Sequence, residues 1–438
     1  MPSTTIVKEA KPTTRLNLTR GMNRESLLAL TVGLGLIFAY GLVFYRTHFQ
    51  GVNYPRNTLL FNPFDRFQDF FIEAGLGVSR NPYFVSNGYE ATYFPLSYFL
   101  LYILGHISKN IKVCLVVFLS IFTLYFIWYG FRSFRRGNRN SVLSSLIKVF
   151  IICLGSYPFM CCLDRANLEC LVFIFVSLFV WAYQERRLGV AAFLLAVVTS
   201  MKLFPGVFIL LFLSDRKYRH ALQAVAWTLA MTLMSLVFFQ GGVAHNIFGV
   251  LRGQEIYRTN YLIDIHGLHF NSSFFGVVRL FILGAFASKG GWIPSDVFWR
   301  GVVTTYSLAA VLFLGAFSAL IYLRKFKFWE KVCLITLVML LVPPVSFNYR
   351  LIHLFTCLFV FLNDTDEKSG VFPYLVTFLF GLLLIPKDYE FLEFPRILGI
   401  TNYSLLDIGY SVIANPALMI LLGGLILWRH FHSRKMVY

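Results

Sequence analysis

Long apolar runs separated by short polar loops cover most of this chain. A helix rises about 1.5 Å per residue, so crossing a hydrocarbon core of about 30 Å takes roughly 20 apolar residues. Runs that reach or approach this length lie at 26–45, 95–108, 112–132, 145–162, 168–184, 189–214, 220–240, 272–287, 298–323, 332–346, 350–362, 371–386 and 408–428. The pattern predicts an all-α polytopic membrane protein, a bundle of about 11–13 transmembrane helices. Residues 1–25 form a polar N-terminal tail, 26–428 a single membrane domain and 429–438 a short basic C-terminal tail. Two polar stretches, 46–94 and 241–271, are expected to be external loops, the first carrying interfacial helices.

Charge orients the bundle. The net charge is +18, concentrated in short clusters such as Arg132–Arg139, Arg186-Arg187, Arg216–Arg219, Arg324–Lys331 and Arg429–Lys435. Basic residues beside transmembrane ends mark the cytoplasmic side, so these clusters and both tails are placed inside. The side of 272–287 is not fixed by its flanking charge. Two spans then violate parity. Run 95–108 would have to fall short of a full crossing, and run 189–214 has basic loops at both ends. A break at Met201-Lys202-Leu203-Phe204-Pro205 resolves the second, because Pro205 has no backbone N–H to donate. Lys202 would then sit at the external interface.

Composition closes off other classes. With 57% hydrophobic and 14% charged residues the chain lies outside the soluble range, and its basic excess is a topology signal beside anionic lipid rather than a nucleic-acid footprint. The seven cysteines lie in or beside apolar runs without metal-ligand spacing and are expected to be small buried hydrophobes. The first apolar run, Leu27 to Phe44, is too long for a cleaved signal peptide and is expected to remain as an anchor.

The loops hold the candidate chemistry. Asp65, Asp69 and Glu73 are spaced to share one helix face, interleaved with Phe64, Phe67, Phe70 and Phe71. An interfacial helix with acids toward a cavity could supply a base; a merely solvated polar face is the alternative. The turn Asp164-Arg165-Ala166-Asn167-Leu168-Glu169 packs more polar side chains than a hairpin needs. Lys202 is alone in an apolar run, which points to an anionic partner or to snorkelling. Residues 241–276, with Arg258, His266, His269 and Asn271, have the groups to hold a phosphate and a sugar, and Arg350 after Pro343-Pro344 is a further phosphate candidate. His266 and His269 could ligate metal but lack a nearby third ligand, so no cofactor is expected and a divalent ion is the minor alternative. No glycine-rich nucleotide loop and no nucleophile elbow is present.

The order of these elements resembles the GT-C membrane glycosyltransferases, specifically glycosyltransferase family 87. The resemblance rests on Asp65 and Asp69 leading to Asn81-Pro82-Tyr83 and Tyr93-Phe94-Pro95, the turn around Asn167, Arg186-Arg187, the run from Ala191 to Pro205, the basic cluster at 216–219, and Asn271-Ser272-Ser273 with Gly276. It covers most of 26–286. The turn departs from the expected Gly-Gln-x-Asn pattern, and two loop aspartates stand where one is expected. The resemblance implies a GT-C-like bundle in the plasma (inner) membrane. Its active site would face outward and transfer a hexose or pentose, such as mannose, with inversion. The donor would be a polyprenyl-phosphate sugar and the acceptor a hydroxyl on a lipid or glycan, with membrane lipids and no nucleic acid as partners. It implies Asp69, then Asp65, as the base. Lys202, Arg258, Arg350 and His266 would bind phosphate, and Asn167, Asp164, Arg165, Tyr83, Tyr93 and Asn271 the sugar or acceptor. A lipid-linked sugar flippase is the rival from another class; it would be expected to carry paired broken helices, and one break is visible.

Overall fold

The computed structural model describes residues 23–52, 57–62, 65–85, 90–136, 140–263, 267–287, 295–364, 370–389, 391–394 and 406–433. It is helical almost throughout. Helix α1 (Arg24–Phe49) starts where the Asn23 side chain accepts the Ser26 N–H at 2.7 Å, satisfying one of the free donors of its first turn. The first loop then carries α2 (Gln68–Gly77) and leads into α3 (Pro95–Gly105), whose proline occupies the first turn, where a missing N–H costs nothing. With 11 residues, α3 spans only about 16 Å and is too short to cross alone. Helix α4 (Ile111–Arg135) is capped by Asn110, which accepts from Lys112 N at 3.0 Å.

The expected span 145–162 is a bent pair. Helix α5 (Val142–Lys148) runs through a π-turn at Val149–Leu154 and turns by 60° into α6 (Tyr157–Arg165), which Ser156 caps. Ala166 takes a left-handed φ of 47° and ends α6, and the chain enters α7 (Glu169–Gln184) directly. Helix α8 (Leu188–Met201) returns alongside α7 and stops at Lys202; a 3-10 turn over Phe204–Phe208 carries the chain into α9 (Ile209–Ser214) and then α10 (Tyr218–Phe238). The break expected at 201–205 is therefore present.

The second polar stretch is largely helical: α11 (Val243–Tyr257) continues into a π-turn at Arg258–Ile263. Gly249 and Gly253 let it lie directly on the first loop, since a Cβ at Gly253 would stand 2.1 Å from the Ala91 carbonyl oxygen and one at Gly249 would stand 2.6 Å from Tyr83 Cβ. Helices α12 (Phe274–Ala287), α13 (Asp296–Leu323) and α14 (Phe328–Leu341) follow, then a 3-10 turn at Asn348–His353, α15 (Leu354–Leu362) and α16 (Val371–Leu384). A short antiparallel hairpin, β1 (Phe391–Phe394) against β2 (Leu406–Gly409), precedes α17 (Ser411–Ser433).

Among the described residues, α1, α4, α10, α13 and α17 are each long and apolar enough to cross a membrane; the bent α5–α6 pair could form a sixth span, and shorter apolar helices complete the bundle. This is an all-α polytopic membrane protein. Helix α15 is buried along its whole length, as expected of a helix apolar on every side, whereas α13 turns Leu308, Val311, Leu312 and Phe313 outward. Rings interlock between them: Phe126 lies 4.9 Å from both Phe159 and Phe355 and 5.5 Å from Phe173, joining α4, α6, α7 and α15. All seven cysteines are free and buried.

Helix polarity separates two ends. Arg186-Arg187 join α7 to α8 at one end, while the turn before α7 and Lys202 after α8 lie at the other. Lys327 likewise starts α14, whose far end leads to Pro343-Pro344. That second end carries the site.

Candidate active site

The loops converge on a cavity of about 1670 Å³. Its wall receives α2, residues 90–94, the 164–167 turn, the break after α8, the end of α11, the 343–350 segment and Asp388. Asp65 and Asp69 both line it, though not by the expected helix face. Phe67 adopts a left-handed φ of 60° and caps α2, so Asp65 lies in the preceding turn and only Asp69 and Glu73 share the helix.

Arg165 reunites the two aspartates. Its Nη1 donates to Asp65 Oδ2 at 2.8 Å, while Nε donates to Asp69 Oδ1 at 3.1 Å and Nη2 reaches the same oxygen. A guanidinium fork is suited to gripping two carboxylates at once. Asn167 completes the arrangement: Nδ2 donates to Asp69 Oδ2 at 2.7 Å and to Tyr93 Oη at 3.0 Å, and Oδ1 accepts from Lys202 Nζ at 3.2 Å. One amide thus stands between a carboxylate and an ammonium. Lys202 also lies 4.9 Å from the centre of the Tyr93 ring and pairs with Glu169 Oε2 at 2.7 Å, and Glu169 Oε1 is 2.7 Å from His353 Nε2. Glu169 and His353 are fully buried behind the wall.

The remaining expected residues divide. Asp164 lines the cavity and also anchors the first loop, its Oδ1 accepting Phe61 N at 2.9 Å and its carbonyl accepting Phe67 N at 2.6 Å. Arg258 lines the cavity and is 3.7 Å from Glu255. Arg350 lines it from a buried position, stacked 3.6 Å over the Phe204 ring, with Nη1 donating to the Val345 carbonyl at 2.6 Å and Nε without an acceptor among the described residues. Tyr83 and Asn271 are not among the lining residues. The Tyr83 hydroxyl donates to the Tyr93 carbonyl at 2.9 Å, and Asn271 ties the chain together through Gly267 O, Pro344 O and the N–H groups of Ser273 and Ser346. His266 lies outside the described residues. Among the described residues no group of three metal-ligating side chains is gathered to hold an ion.

Glu73, Glu169, His353 and Asp388 were the weaker signals. Asp388 sits between α16 and the hairpin and accepts from Tyr157 Oη at 3.0 Å and Asn348 Nδ2 at 2.7 Å. Burial raises its carboxyl above the usual range and pushes the neighbouring Lys387 ammonium down to about 7. Glu73, beside Tyr98, is raised to about 8, chiefly by desolvation and partly offset by the Tyr98 hydrogen bond. Chemically, the cavity combines acids that could take a proton, cations that could hold an anion, and aromatic faces.

A family model decides between a transferase and a transporter. Glycosyltransferase family 87 matches residues 91–344, more than half of the chain. The chain belongs to glycosyltransferase family 87. As a family 87 glycosyltransferase it transfers sugar, and the match takes in Tyr93, the Asp164–Glu169 turn, Lys202 and Arg258. The aspartates of the first loop and Arg350 fall outside the matched span yet line the same cavity. No curated protein and no solved structure matches the chain.

Proposed function

We propose that this glycosyltransferase uses a polyprenyl-phosphate sugar as donor, transfers the sugar with inversion on the extracytoplasmic side of the plasma membrane, and uses Asp69 as its general base. The observation that carries the reading is the Asn167 amide, which bridges Asp69 and Lys202. A direct displacement needs a proton acceptor where the nucleophile enters and a cation where the phosphate leaves. Asp69 and Lys202 stand in those relations, separated by one side chain.

The acceptor hydroxyl oxygen forms the new bond to the anomeric carbon as its proton passes to the Asp69 carboxylate. The bond from the anomeric carbon to the phosphate oxygen breaks, and polyprenyl phosphate departs with that electron pair. Lys202, Arg258 and Arg350 face the cavity to meet the negative charge. Arg165 holds Asp69 and Asp65 in place, and the amide of Asn167 is expected to turn with the reacting groups. Asp69 is preferred over Asp65 because Asp65 touches Arg165 alone of these groups, with no link to Lys202. The outward orientation is supported by the basic clusters at the opposite helix ends.

The test is turnover of a panel of polyprenyl-phosphate sugars by purified protein in nanodiscs with a mixed lipid and glycan acceptor pool. Release of polyprenyl phosphate with formation of an inverted glycoside supports the reading. No consumption of any donor, combined with transbilayer movement of the same lipids in vesicles, overturns it.

A further inference from the structure

One carboxyl group in the cavity has no part in this transfer. Glu73 stands one helical turn beyond Asp69 on α2 and lines the same cavity, but its surroundings are different. Asp69 is gripped by Arg165 and Asn167, whereas the hydrogen bond made by the Glu73 side chain comes from Tyr98, whose Oη is 2.8 Å from Oε2.

The direction of that bond is fixed. Tyr98 Oη accepts the backbone N–H of Thr92 at 3.0 Å and of Tyr93 at 3.3 Å, which occupies its two lone pairs. Its own proton must therefore point at Glu73 Oε2. A neutral Glu73 then carries its proton on Oε1, and Oε1 has no hydrogen-bond partner among the described residues. The support is rigid, because Tyr98 is fully buried and the Thr92 carbonyl is held in turn by Gln254 Nε2 at 2.8 Å. The groups that face Glu73 are Asp69 from its own helix, Tyr83 and Tyr93 from the loop, Tyr98 from α3, Lys202 from the break after α8, and Tyr261 from the π-turn. Lys202 is the one cation among them and is committed to Glu169.

We infer that Glu73 is a sugar-binding, specificity-determining residue whose neutral carboxyl donates a hydrogen bond from Oε1 to a hydroxyl of the transferred sugar. A carboxylic acid kept neutral by an apolar, aromatic site is a good donor, and its raised ionisation agrees with the geometry. A site that buries such a donor rejects a sugar whose hydroxyl points elsewhere, since the proton would be left unpaired. The inference rests on the proposed lipid-linked donor.

The experiment measures binding of polyprenyl-phosphate mannose, polyprenyl-phosphate glucose and sugar-free polyprenyl phosphate to the full-length protein in nanodiscs, from pH 6 to 9.5. The sugar-dependent gain is the ratio between each sugar-bearing lipid and the bare phosphate. Wild type is expected to show a gain for one sugar that falls as pH rises through about 8. Glu73→Gln keeps an N–H donor at the same place and is expected to keep the gain without the pH dependence. Glu73→Ala is expected to lose about tenfold in the gain while binding the bare phosphate as wild type does, the effect of one hydrogen bond to a neutral group. An undiminished gain in Glu73→Ala, or a wild-type pH profile in Glu73→Gln, overturns the inference and leaves the donor reading intact. Wild-type protein that binds none of the three lipids overturns the donor reading and this inference with it.

Discussion

Asn167 Nδ2 lies 2.7 Å from Asp69 Oδ2, a contact between a turn that ends α6 and a helix of the first loop, 98 residues apart in sequence. The same side chain accepts from Lys202 through its other atom, so its two ends require an amide in one orientation. Asn167→Asp places a carboxylate against Asp69 and is expected to lower kcat by about 100-fold or more, the scale of losing one placed polar group in a catalytic site. Asn167→Gln, with the right atoms one carbon too far, is expected to fall between the variant and wild type. Steady-state kinetics on the purified proteins check both.

Arg165 is expected to matter for order before charge. Arg165→Lys keeps a cation but cannot hold Asp65 and Asp69 together as a fork. Activity should drop at least tenfold in Arg165→Lys, with the first loop becoming more accessible to protease, while Asp65→Asn alone leaves the Asp69 contacts standing. Limited proteolysis beside an activity assay separates these outcomes.

Lys202 and Glu169 are mostly or fully buried partners at 2.7 Å. Removing one member of such a pair leaves the other charge stranded and typically costs about 3–5 kcal/mol. Lys202→Met is therefore expected to lower the melting temperature, and Glu169→Gln added to it should restore much of the stability. Activity should not return in the double variant, because the cation itself is the proposed phosphate contact. Thermal unfolding in detergent measured beside turnover checks the pair; recovery of both would remove Lys202 from the phosphate site.

Glu73 should also shape stability against pH. Its carboxyl is raised to about 8 in the folded protein from an ordinary 4.5, so between those values the folded state holds more protons than the unfolded state. Stability from this group is present below about 4.5 and is lost as pH rises through 8. Lys387, lowered to about 7 from 10.5, works with the opposite sign, gaining stability as pH rises through that interval. The difference between wild type and Glu73→Gln isolates the first group, and is expected to shrink toward pH 5 and widen toward pH 9 in favour of the variant.

Much of this arrangement was legible in the chain, for physical reasons that differ by residue. The break at Lys202 could be found because a lysine and Pro205 interrupt an otherwise apolar run with basic loops at both ends. The polar turn at 164–169 stood out by density alone. Asp65 and Asp69 were found as a pair, but the helix drawn through both was not there: the left-handed turn at Phe67 is a local backbone choice that spacing does not reveal. The pairing of Glu169 with His353 joins residues 184 apart in two different helices, a relation that periodicity cannot express. The short hairpin before α17 was likewise missed, because Phe391–Phe394 and Leu406–Gly409 are too brief to show an alternating pattern.

The central claim is that Asp69 removes the acceptor proton. Its most direct test is single-turnover transfer from a polyprenyl-phosphate sugar by Asp69→Asn and Asp65→Asn in nanodiscs, with donor binding measured on the same samples. The account predicts that Asp69→Asn binds donor within a few-fold of wild type yet loses about 1000-fold or more in rate, whereas Asp65→Asn retains most of the rate. Full turnover by Asp69→Asn, or loss confined to Asp65→Asn, would contradict it.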